Sequence, residues 1–119
     1  MRKRTHGFQR GDVVVVPVVF AAPAGSKIRP ALVISSNAYH RAQLVNVLII
    51  AISGNVAGHQ TATDYTLKDW QASGLQRPSV VTSFITTVAP SDIRHTIGRL
   101  STNDLREVDK RLRLSLDLS

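Results

Sequence analysis

The sequence predicts a mainly β domain with one helix at its C-terminus. About five to seven short runs rich in β-branched residues, separated by glycine- and proline-containing turns, occupy the chain up to residue 100. After residue 101, apolar residues recur at helical spacing instead. The connections are short and strands do not alternate with helices, so an antiparallel, barrel-like sheet is the natural closure.

The composition is that of one folded domain. The chain has 119 residues, 43% of them hydrophobic, which suffices for a single core without disulfide or metal staples. Its longest apolar run, residues 44–52, is interrupted by Asn46 and falls short of the roughly 20 residues that span a membrane. The basic residues 2–4 are not followed by an apolar signal segment, and the absence of cysteine fits a reducing compartment. We therefore expect a cytoplasmic protein.

The charge balance favours a polyanionic partner. A formal net charge of +7 suits binding to a nucleic acid or an acidic protein. Residues 1–9 are predicted to form a basic, flexible N-terminal arm, and residues 10–119 a single domain. A second basic cluster comprises Arg106, Lys110, Arg111 and Arg113. The alternative interpretation is that these two basic regions are solvated surface patches that only keep the chain soluble.

The first half of the chain contains three predicted strands, at residues 13–20, 30–36 and 44–53. Pro17 should place the first strand at a sheet edge or a bulge, because proline lacks the N–H that a ladder needs. A loop at 21–28 joins the first two strands, and a turn at 37–41 leads to the third. A second flexible loop, which contains two glycines, follows at 54–59.

The second half is predicted to add strands at residues 63–67, 79–88 and 96–100, the longest of them bent or bulged. Residues 68–76 form a loop or a single helical turn, and residues 90–92 a turn. Ser101 precedes Asp104 at the spacing of a helix N-cap in a capping box. The apolar stripe of the helix that follows consists of Leu105, Val108, Leu112 and Leu116.

The stretch from Lys27 to Ser35 carries the candidate chemistry. Pro30 biases Arg29 toward extended geometry, so a guanidinium with limited backbone freedom stands at the mouth of an apolar strand. The planar fork of a guanidinium suits bidentate contacts to phosphate oxygens. The alternative interpretation is a rim arginine paired with a surface carboxylate.

Ser53 ends the third predicted strand where Arg29 begins the second. If these strands are antiparallel neighbours, both residues lie at the same edge of the sheet. Ser26, Lys27 and Asn55 flank that point on the two loops. Taken alone, a serine at a strand end more often satisfies backbone groups than carries chemistry.

Other chemistries lack their sequence patterns. The glycines do not have the spacing of a phosphate-binding loop, and the eight acidic residues show no obvious pair at strand spacing. His6, His40, His59 and His95 are dispersed and accompanied by no cysteine, so we expect no metal site and no cofactor. A ribonuclease that uses two histidines stays open as an alternative.

Five segments, in the same order, resemble the MazF/PemK family, the toxins of type II toxin–antitoxin pairs. They are Arg10 to Val13, Gly25-Ser26 with Arg29 to Ser35, Ala51 to Ser53, Gly74-Leu75 before Pro78 to Val81, and Leu100-Ser101. The resemblance extends from about residue 10 to residue 118 and leaves out only the N-terminal arm.

The resemblance implies an SH3-like small barrel with a C-terminal helix that acts as a homodimer. It also implies metal-independent, sequence-selective cleavage of single-stranded RNA, in which the ribose 2′-hydroxyl attacks the adjacent phosphate. The family's catalytic arginine corresponds to Arg29. Its threonine corresponds to Ser53, where the hydroxyl is kept and the β-methyl that stiffens χ1 is lost.

In the same resemblance, RNA recognition falls to the loops at 21–28 and 54–62. The expected substrate-binding residues are Gly25, Ser26, Lys27, Asn55 and His59. His59 is also a candidate proton acceptor, because arginine is a poor base at neutral pH. An acidic antitoxin would cover the basic groove.

Two other functions stay open at this point. A toxin of the same fold can act without catalysis by binding a protein, as CcdB toxins bind gyrase, and its function would reside in the C-terminal helix. A non-catalytic basic nucleic-acid binder would depend on the N-terminal arm rather than on Arg29. Incubation with a long RNA in the presence of a chelator separates cleavage from both alternatives.

Overall fold

The β-branched runs form six antiparallel strands in the part of the chain that the structure describes. This computed structural model describes residues 7–18, 27–42 and 46–119. The strands are β1 (Asp12–Val18), β2 (Lys27–Val33), β3 (Val47–Ser53), β4 (Tyr65–Thr66), β5 (Val80–Val88) and β6 (His95–Arg99), and the helices are α1 (Asn37–Ala42) and α2 (Thr102–Leu116). The strands form a curled half-barrel in the order β4-β5-β3-β2-β1-β6. The predicted mainly β fold with a C-terminal helix is confirmed.

Each face of the sheet is covered by its own apolar cluster. One face, with Leu32 and Ile50, packs against Val108 of α2. The opposite face holds Val33 and Ile49. Because both faces are buried, β2 and β3 need apolar residues at consecutive positions rather than at alternate ones, which explains their continuous apolar runs.

The second strand begins earlier than the sequence predicts. It runs over Lys27–Val33 rather than 30–36, because β1 pairs with its first three residues and draws them into the sheet. The prediction of a loop is therefore wrong for Lys27 and Ile28, and loop residues 21–26 lie outside the described residues. The strand ends before Ser35, whose hydroxyl bonds the side chain of His40 and the backbone N–H of Leu48 instead of extending the ladder.

The predicted turn at 37–41 is the six-residue helix α1. Ser36 starts it, because its Oγ accepts the N–H of Tyr39 at 3.1 Å and its carbonyl accepts the N–H of His40. This is the action of a helix N-cap. The serine before a short polar run was thus a helix signal that the turn prediction overlooked.

The remaining bounds shift by a few residues. β3 begins at Val47, and residues 43–45 of the predicted strand lie outside the described part of the chain. β4 keeps only Tyr65–Thr66 of the predicted 63–67. Residues 1–6 of the predicted basic arm are not described, so the domain boundary stays a prediction. Within the described ranges, no helix is long and apolar enough to cross a membrane.

Of the predicted edge or bulge, the edge is wrong for β1, which lies between β2 and β6, whereas its register with β6 does shift, between Val13 and Val14. Its pairing with β6 nevertheless stops at Val15, which pairs with His95. Val15 accepts the N–H of Arg94 on the β6 side, so by alternation the nitrogen of Pro17 also points to that side, beyond the end of the pairing, and its missing N–H removes no bond from the ladder with β2. The expected irregularity of the longest strand is confirmed, since the register between β3 and β5 shifts between Ile50 and Ile52.

Helix α2 starts at the predicted N-cap, with the Oγ of Ser101 accepting the N–H of Asp104 at 3.1 Å. Leu105, Val108 and Leu112 pack against the sheet. The prediction that Leu116 continues this stripe is wrong, because its side chain is 54% exposed. At 3.6 residues per turn, positions four apart drift by about 40°, so Leu116 has rotated away from the face of Val108.

The carboxylate of Asp104 fixes α2 to the segment that enters and leaves β4. It is fully buried and accepts the hydroxyl of Tyr65 at 2.6 Å and the backbone N–H groups of Lys68 and Asp69. Burial, with the hydrogen bond to Asp104 as the next cause, raises the pKa of the Tyr65 phenol. The phenol therefore stays protonated and acts as the donor.

Two glycines allow residues 73–74 to lie directly against β6. A Cβ on Gly74, which has φ +90°, would fall 2.1 Å from the carbonyl oxygen of Ile97. A Cβ on Gly98 would fall 2.2 Å from the carbonyl oxygen of Ser73. Only glycine permits this backbone contact at both positions. It brings the segment before β5 toward the far end of the sheet.

Candidate functional site

A cleft opens where β2 and β3 stop pairing. Their ladder ends at Ala31 and Ala51. Ile34, four residues after Pro30, donates its N–H to Leu48 of β3, so the nitrogen of Pro30 points toward β3 as well. Since proline has no N–H to donate, the next ladder bond cannot form and the strands can separate there.

Arg29 and Ser53 each lie two residues beyond the last pair of the β2–β3 ladder. The register that pairs Ala31 with Ala51, if continued, would set Arg29 opposite Ser53. By the alternation of side chains along a strand, both point to the sheet face on which Ala31 and Ala51 lie. Both residues line the cleft. The sequence argument that the two strands are antiparallel neighbours is therefore correct.

The guanidinium of Arg29 is available to an anion. The side chain is exposed, and Arg29 takes part in none of the four ion pairs found among the described residues. The alternative interpretation of Arg29 as a rim residue in an ion pair is thus not supported. A guanidinium without a carboxylate partner retains its donors for phosphate oxygens.

The hydroxyl of Ser53 is oriented by its own backbone. Its Oγ accepts the N–H of Asn55 at 3.0 Å, and the residue is half-buried. A serine hydroxyl has one donor and two acceptor positions, so its proton remains free to be donated into the cleft. The hydrogen bond also restrains χ1, which partly replaces the restraint of a threonine β-methyl.

The loop after Ser53 contributes the side chains of Asn55 and His59. Asn55 caps the short 3-10 turn Val56–Gly58, where its Oδ1 accepts the N–H of Gly58 at 3.2 Å, and its amide donors are left for a ligand. His59 ends the turn and lines the cleft. Lys27 lines it from β2, whereas Gly25 and Ser26 lie outside the described residues.

Sequence reasoning missed several residues of the cleft. Arg77 lies against Gly54, which follows Ser53 in the chain. Asp64 is the one acidic residue among the described residues that line the cleft. The Asp64 carboxylate accepts the backbone N–H and the hydroxyl of Thr61. One signal for Arg77 was present in the sequence, because Arg77-Pro78 repeats the dipeptide Arg29-Pro30.

The cleft also carries apolar surface. Ile28, Phe84 and Ile97 line it and are 48%, 42% and 37% exposed. Of the histidines that the structure describes, only His59 lines the cleft, while His40 is buried beside Ser35. The described residues therefore offer a basic cleft with hydroxyl, amide, imidazole and apolar groups. This combination suits a single-stranded nucleic acid, which presents both phosphates and unpaired bases.

Comparisons with known proteins match most of the chain. A family model described as PemK-like, MazF-like toxin of type II toxin–antitoxin systems matches residues 9–116. The curated relatives include Endoribonuclease MazF6 of Mycobacterium tuberculosis and Endoribonuclease MazF2 of Mycobacterium bovis. Each is 34% identical over 100 residues, which cover 81% of this chain and 87% of the relative.

Solved structures show the same fold at lower identity. The Mycobacterium tuberculosis toxin MazF-mt6 has a TM-score of 0.73 at 23% identity, over 91% of this chain and 98% of that one. A mycobacterial endoribonuclease in complex with its cognate antitoxin has a TM-score of 0.73 at 18% identity, over 94% and 97%. MazE-MazF from Deinococcus radiodurans has a TM-score of 0.73 at 21% identity, over 94% and 98%.

Proposed function

Because the chain belongs to the PemK-like, MazF-like toxin family of type II toxin–antitoxin systems, we propose that its cleft cleaves single-stranded RNA at selected sequences without a metal ion. The family and the endoribonuclease class that the sequence predicts are confirmed by the family match and by the named relatives. The roles of individual residues, the form of the substrate and the partners are our proposal.

The proposed reaction is an internal transesterification. The ribose 2′-oxygen attacks the adjacent phosphorus, a bond from O2′ to phosphorus forms, and the bond from phosphorus to the 5′-oxygen breaks. The 2′ proton leaves to a base and the departing 5′-oxygen takes up a proton. The products are a 2′,3′-cyclic phosphate and a free 5′-hydroxyl, and no water or oxidant is consumed.

Arg29 and Ser53 would stabilise the charge that develops in this step. Negative charge builds on the non-bridging phosphate oxygens, and a positioned donor aimed at such oxygens typically lowers the barrier by about 3 kcal/mol. Arg29 offers a charged fork, and Ser53 offers the hydroxyl proton that its bond to Asn55 leaves free. The observation that carries the proposal is that both residues line one cleft, each two residues beyond the last pair of the β2–β3 ladder.

His59 is the described side chain of the cleft that suits the role of proton acceptor. It lines the same cleft as Arg29 and Ser53, and an imidazole exchanges protons near neutral pH, whereas a guanidinium does not. Lys27 and Asn55 would bind the RNA on either side of the reacting phosphate. Gly25 and Ser26 stay predicted contacts of the neighbouring loop.

An acidic antitoxin segment is the proposed regulator of this cleft. The described lining of the cleft has three cationic side chains, those of Lys27, Arg29 and Arg77, and one carboxylate, that of Asp64. An acidic peptide is therefore complementary to the cleft in charge. A cytoplasmic homodimer is the form in which we expect the toxin to act. Such a peptide should compete with RNA, since both need the same cations.

The decisive experiment is cleavage of a long RNA by the purified chain in the presence of EDTA, followed by sequencing of the new 5′ ends. We expect cuts at a shared short sequence, with 5′-hydroxyl and cyclic phosphate termini. Arg29→Ala should lower the cleavage rate by about 10²- to 10³-fold or more at unchanged thermal stability.

The matched control is Arg94→Ala. Arg94 is an exposed arginine that does not line the cleft, so this variant loses the same charge elsewhere and should cleave normally. Undiminished cleavage by Arg29→Ala would contradict the assignment of the site. Absence of cleavage by the unaltered chain would favour the non-catalytic alternatives, a protein-binding toxin or a basic nucleic-acid binder.

A further inference from the structure

We infer that Arg77 is a second phosphate-binding residue of the cleft, holding an RNA phosphate beside the one that Arg29 grips. The inference deepens the proposed function and rests on it for the identity of the ligand as RNA. It assigns a substrate contact to a residue between the predicted loop at 68–76 and β5.

The first argument is the position of the guanidinium. A Cβ built on Gly54 would lie 2.9 Å from Nε, 3.0 Å from Cδ and 3.2 Å from Cζ of Arg77. The Arg77 side chain therefore lies flat against the backbone of the residue that follows Ser53. Glycine at position 54 is what allows the approach, because any larger residue would meet the guanidinium.

The second argument is the restraint of the Arg77 backbone. Pro78 follows it and favours extended geometry at position 77, as Pro30 does for Arg29. The Oγ of Ser79 donates a hydrogen bond to the Arg77 carbonyl at 2.9 Å. The backbone of each cleft arginine is thus restrained by the proline that follows it. Less conformational entropy is lost when a restrained residue binds its ligand.

The third argument is the charge around Arg77. It is exposed and belongs to none of the ion pairs formed among residues 7–18, 27–42 and 46–119. The single acidic residue that lines the cleft, Asp64, has one carboxylate oxygen engaged by Thr61. A guanidinium fork without a carboxylate partner, in the cleft that Ser53 also lines, fits a phosphate diester.

The two arginines reach the cleft from different elements. Arg29 approaches from β2, on one side of Ser53, and Arg77 approaches across Gly54, on the β5 side. Successive phosphates of a single strand would thus meet different arginines. Arg77 should act in binding rather than in the chemical step, because its phosphate does not react.

The test compares Arg77→Ala, Arg77→Lys and the control Arg94→Ala. The binding probe is a short single-stranded DNA of random sequence, which lacks the 2′ nucleophile and can be titrated at several salt concentrations. Loss of one phosphate contact should reduce the slope of log Kobs against log salt by about 0.7. Arg77→Ala should show this reduction, whereas Arg77→Lys and Arg94→Ala should keep the original slope.

The kinetic arm uses the RNA sequence that the purified chain cleaves. Arg77→Ala should raise KM by about tenfold and leave kcat nearly unchanged, the signature of binding lost equally from substrate and transition state. Gly54→Ala should raise KM in the same direction but by less, because the added methyl group shifts the guanidinium without removing its charge.

The outcomes separate the two proposals. An unchanged salt slope in Arg77→Ala, or the same reduction in Arg94→Ala, overturns the role of Arg77. Lack of salt-dependent DNA binding by the unaltered chain overturns it too. A reduced slope in a chain that cleaves no RNA supports phosphate binding by Arg77 and contradicts the nuclease.

Discussion

The site depends on how single side chains are oriented, and Ser53 shows this best. The resemblance to the family implies a threonine here, whose β-methyl would limit χ1. Ser53 lacks the methyl group but accepts the N–H of Asn55, so its hydroxyl is held by a backbone hydrogen bond. The local backbone thereby orients the proton that a phosphate oxygen would accept.

The serine hydroxyl should be required, and the missing methyl group should not. Ser53→Ala is expected to lower kcat by about 10²-fold, within the range measured for loss of one transition-state donor. Ser53→Thr keeps the hydroxyl and is expected to cleave at least as fast as the natural chain. Single-turnover cleavage of the mapped RNA sequence measures both variants. Full activity in Ser53→Ala would remove Ser53 from the reaction.

At the scale of elements, a proline decides where two strands part. The β2–β3 ladder ends at Ala31 and Ala51 because the next donor would be the nitrogen of Pro30. The same proline restrains Arg29. One residue thus opens the cleft and positions the cation at its mouth.

Restoring the missing donor should close this end of the cleft. In Pro30→Ala, the new N–H can donate to the carbonyl of Ile52 and extend the ladder toward Arg29. We expect cleavage to fall about ten- to hundredfold, while the free energy of unfolding changes by less than about 1 kcal/mol. Slowed hydrogen exchange at the amide of residue 30 would report the new bond.

Pro17→Ala is the matched control, because the nitrogen of residue 17 lies past the last residue that β1 pairs with β6. It should gain no ladder bond and keep full cleavage. Normal cleavage by Pro30→Ala, despite a protected amide at position 30, would show that the width of the cleft is not limiting.

Helix α2 carries a charge arrangement that should make its stability depend on pH. Hydrogen bonds from Lys110 and then from Arg111 lower the pKa of Glu107. Arg111 also lies over the ring of Tyr65, 4.9 Å from its centroid. Arg111 therefore contacts both Glu107 within α2 and Tyr65 of β4.

A carboxyl group whose pKa is lower in the folded state than in the unfolded state stabilises the fold at pH values above its ordinary pKa. This stabilisation is lost as the pH falls through the pKa of the folded state. Glu107→Gln should accordingly melt below the natural chain at pH 7. At pH 3 or lower, the two melting temperatures should converge. Thermal unfolding of both chains at both pH values measures the difference between their melting temperatures. An equal difference at the two pH values would contradict a role for the charge of Glu107.

At the scale of the whole molecule, backbone contact between residues 73–74 and β6 brings the connection before β5 to the cleft. The contact requires glycine at both Gly74 and Gly98. It is also what carries Arg77 toward Ser53. Which residues reach the cleft therefore depends on how the half-barrel curls.

Gly74→Ala should damage the fold rather than only the site. The residue has φ +90°, and a Cβ would fall 2.1 Å from the carbonyl oxygen of Ile97. We expect unfolding free energy to drop by about 3 kcal/mol from strain and overpacking together. Denaturant unfolding measures this, with Gly54→Ala as the control.

The Gly54→Ala control is expected to keep its stability, because the added methyl group meets only the movable end of Arg77. It should alter RNA binding instead. Equal stability losses in the two alanine variants would contradict the proposed difference between a backbone contact and a side-chain contact.

The sequence by itself determined the mainly β character, the N-cap at Ser101 and the pairing of Arg29 with a following proline. These features depend on neighbours within a few residues, through allowed backbone angles and local hydrogen bonds. From the sequence, Arg29 and Ser53 share one sheet edge only on the condition that their two strands are antiparallel neighbours.

Only the tertiary structure decided what lies across the cleft. Arg77 is 24 residues from Ser53, and its position follows from packing between backbones at Gly74 and Gly98, which no local pattern encodes. The start of β2 at Lys27 and the exposure of Leu116 were likewise set by partners distant in sequence. Contacts between distant segments depend on the closure of the whole sheet, and single-residue preferences do not determine it.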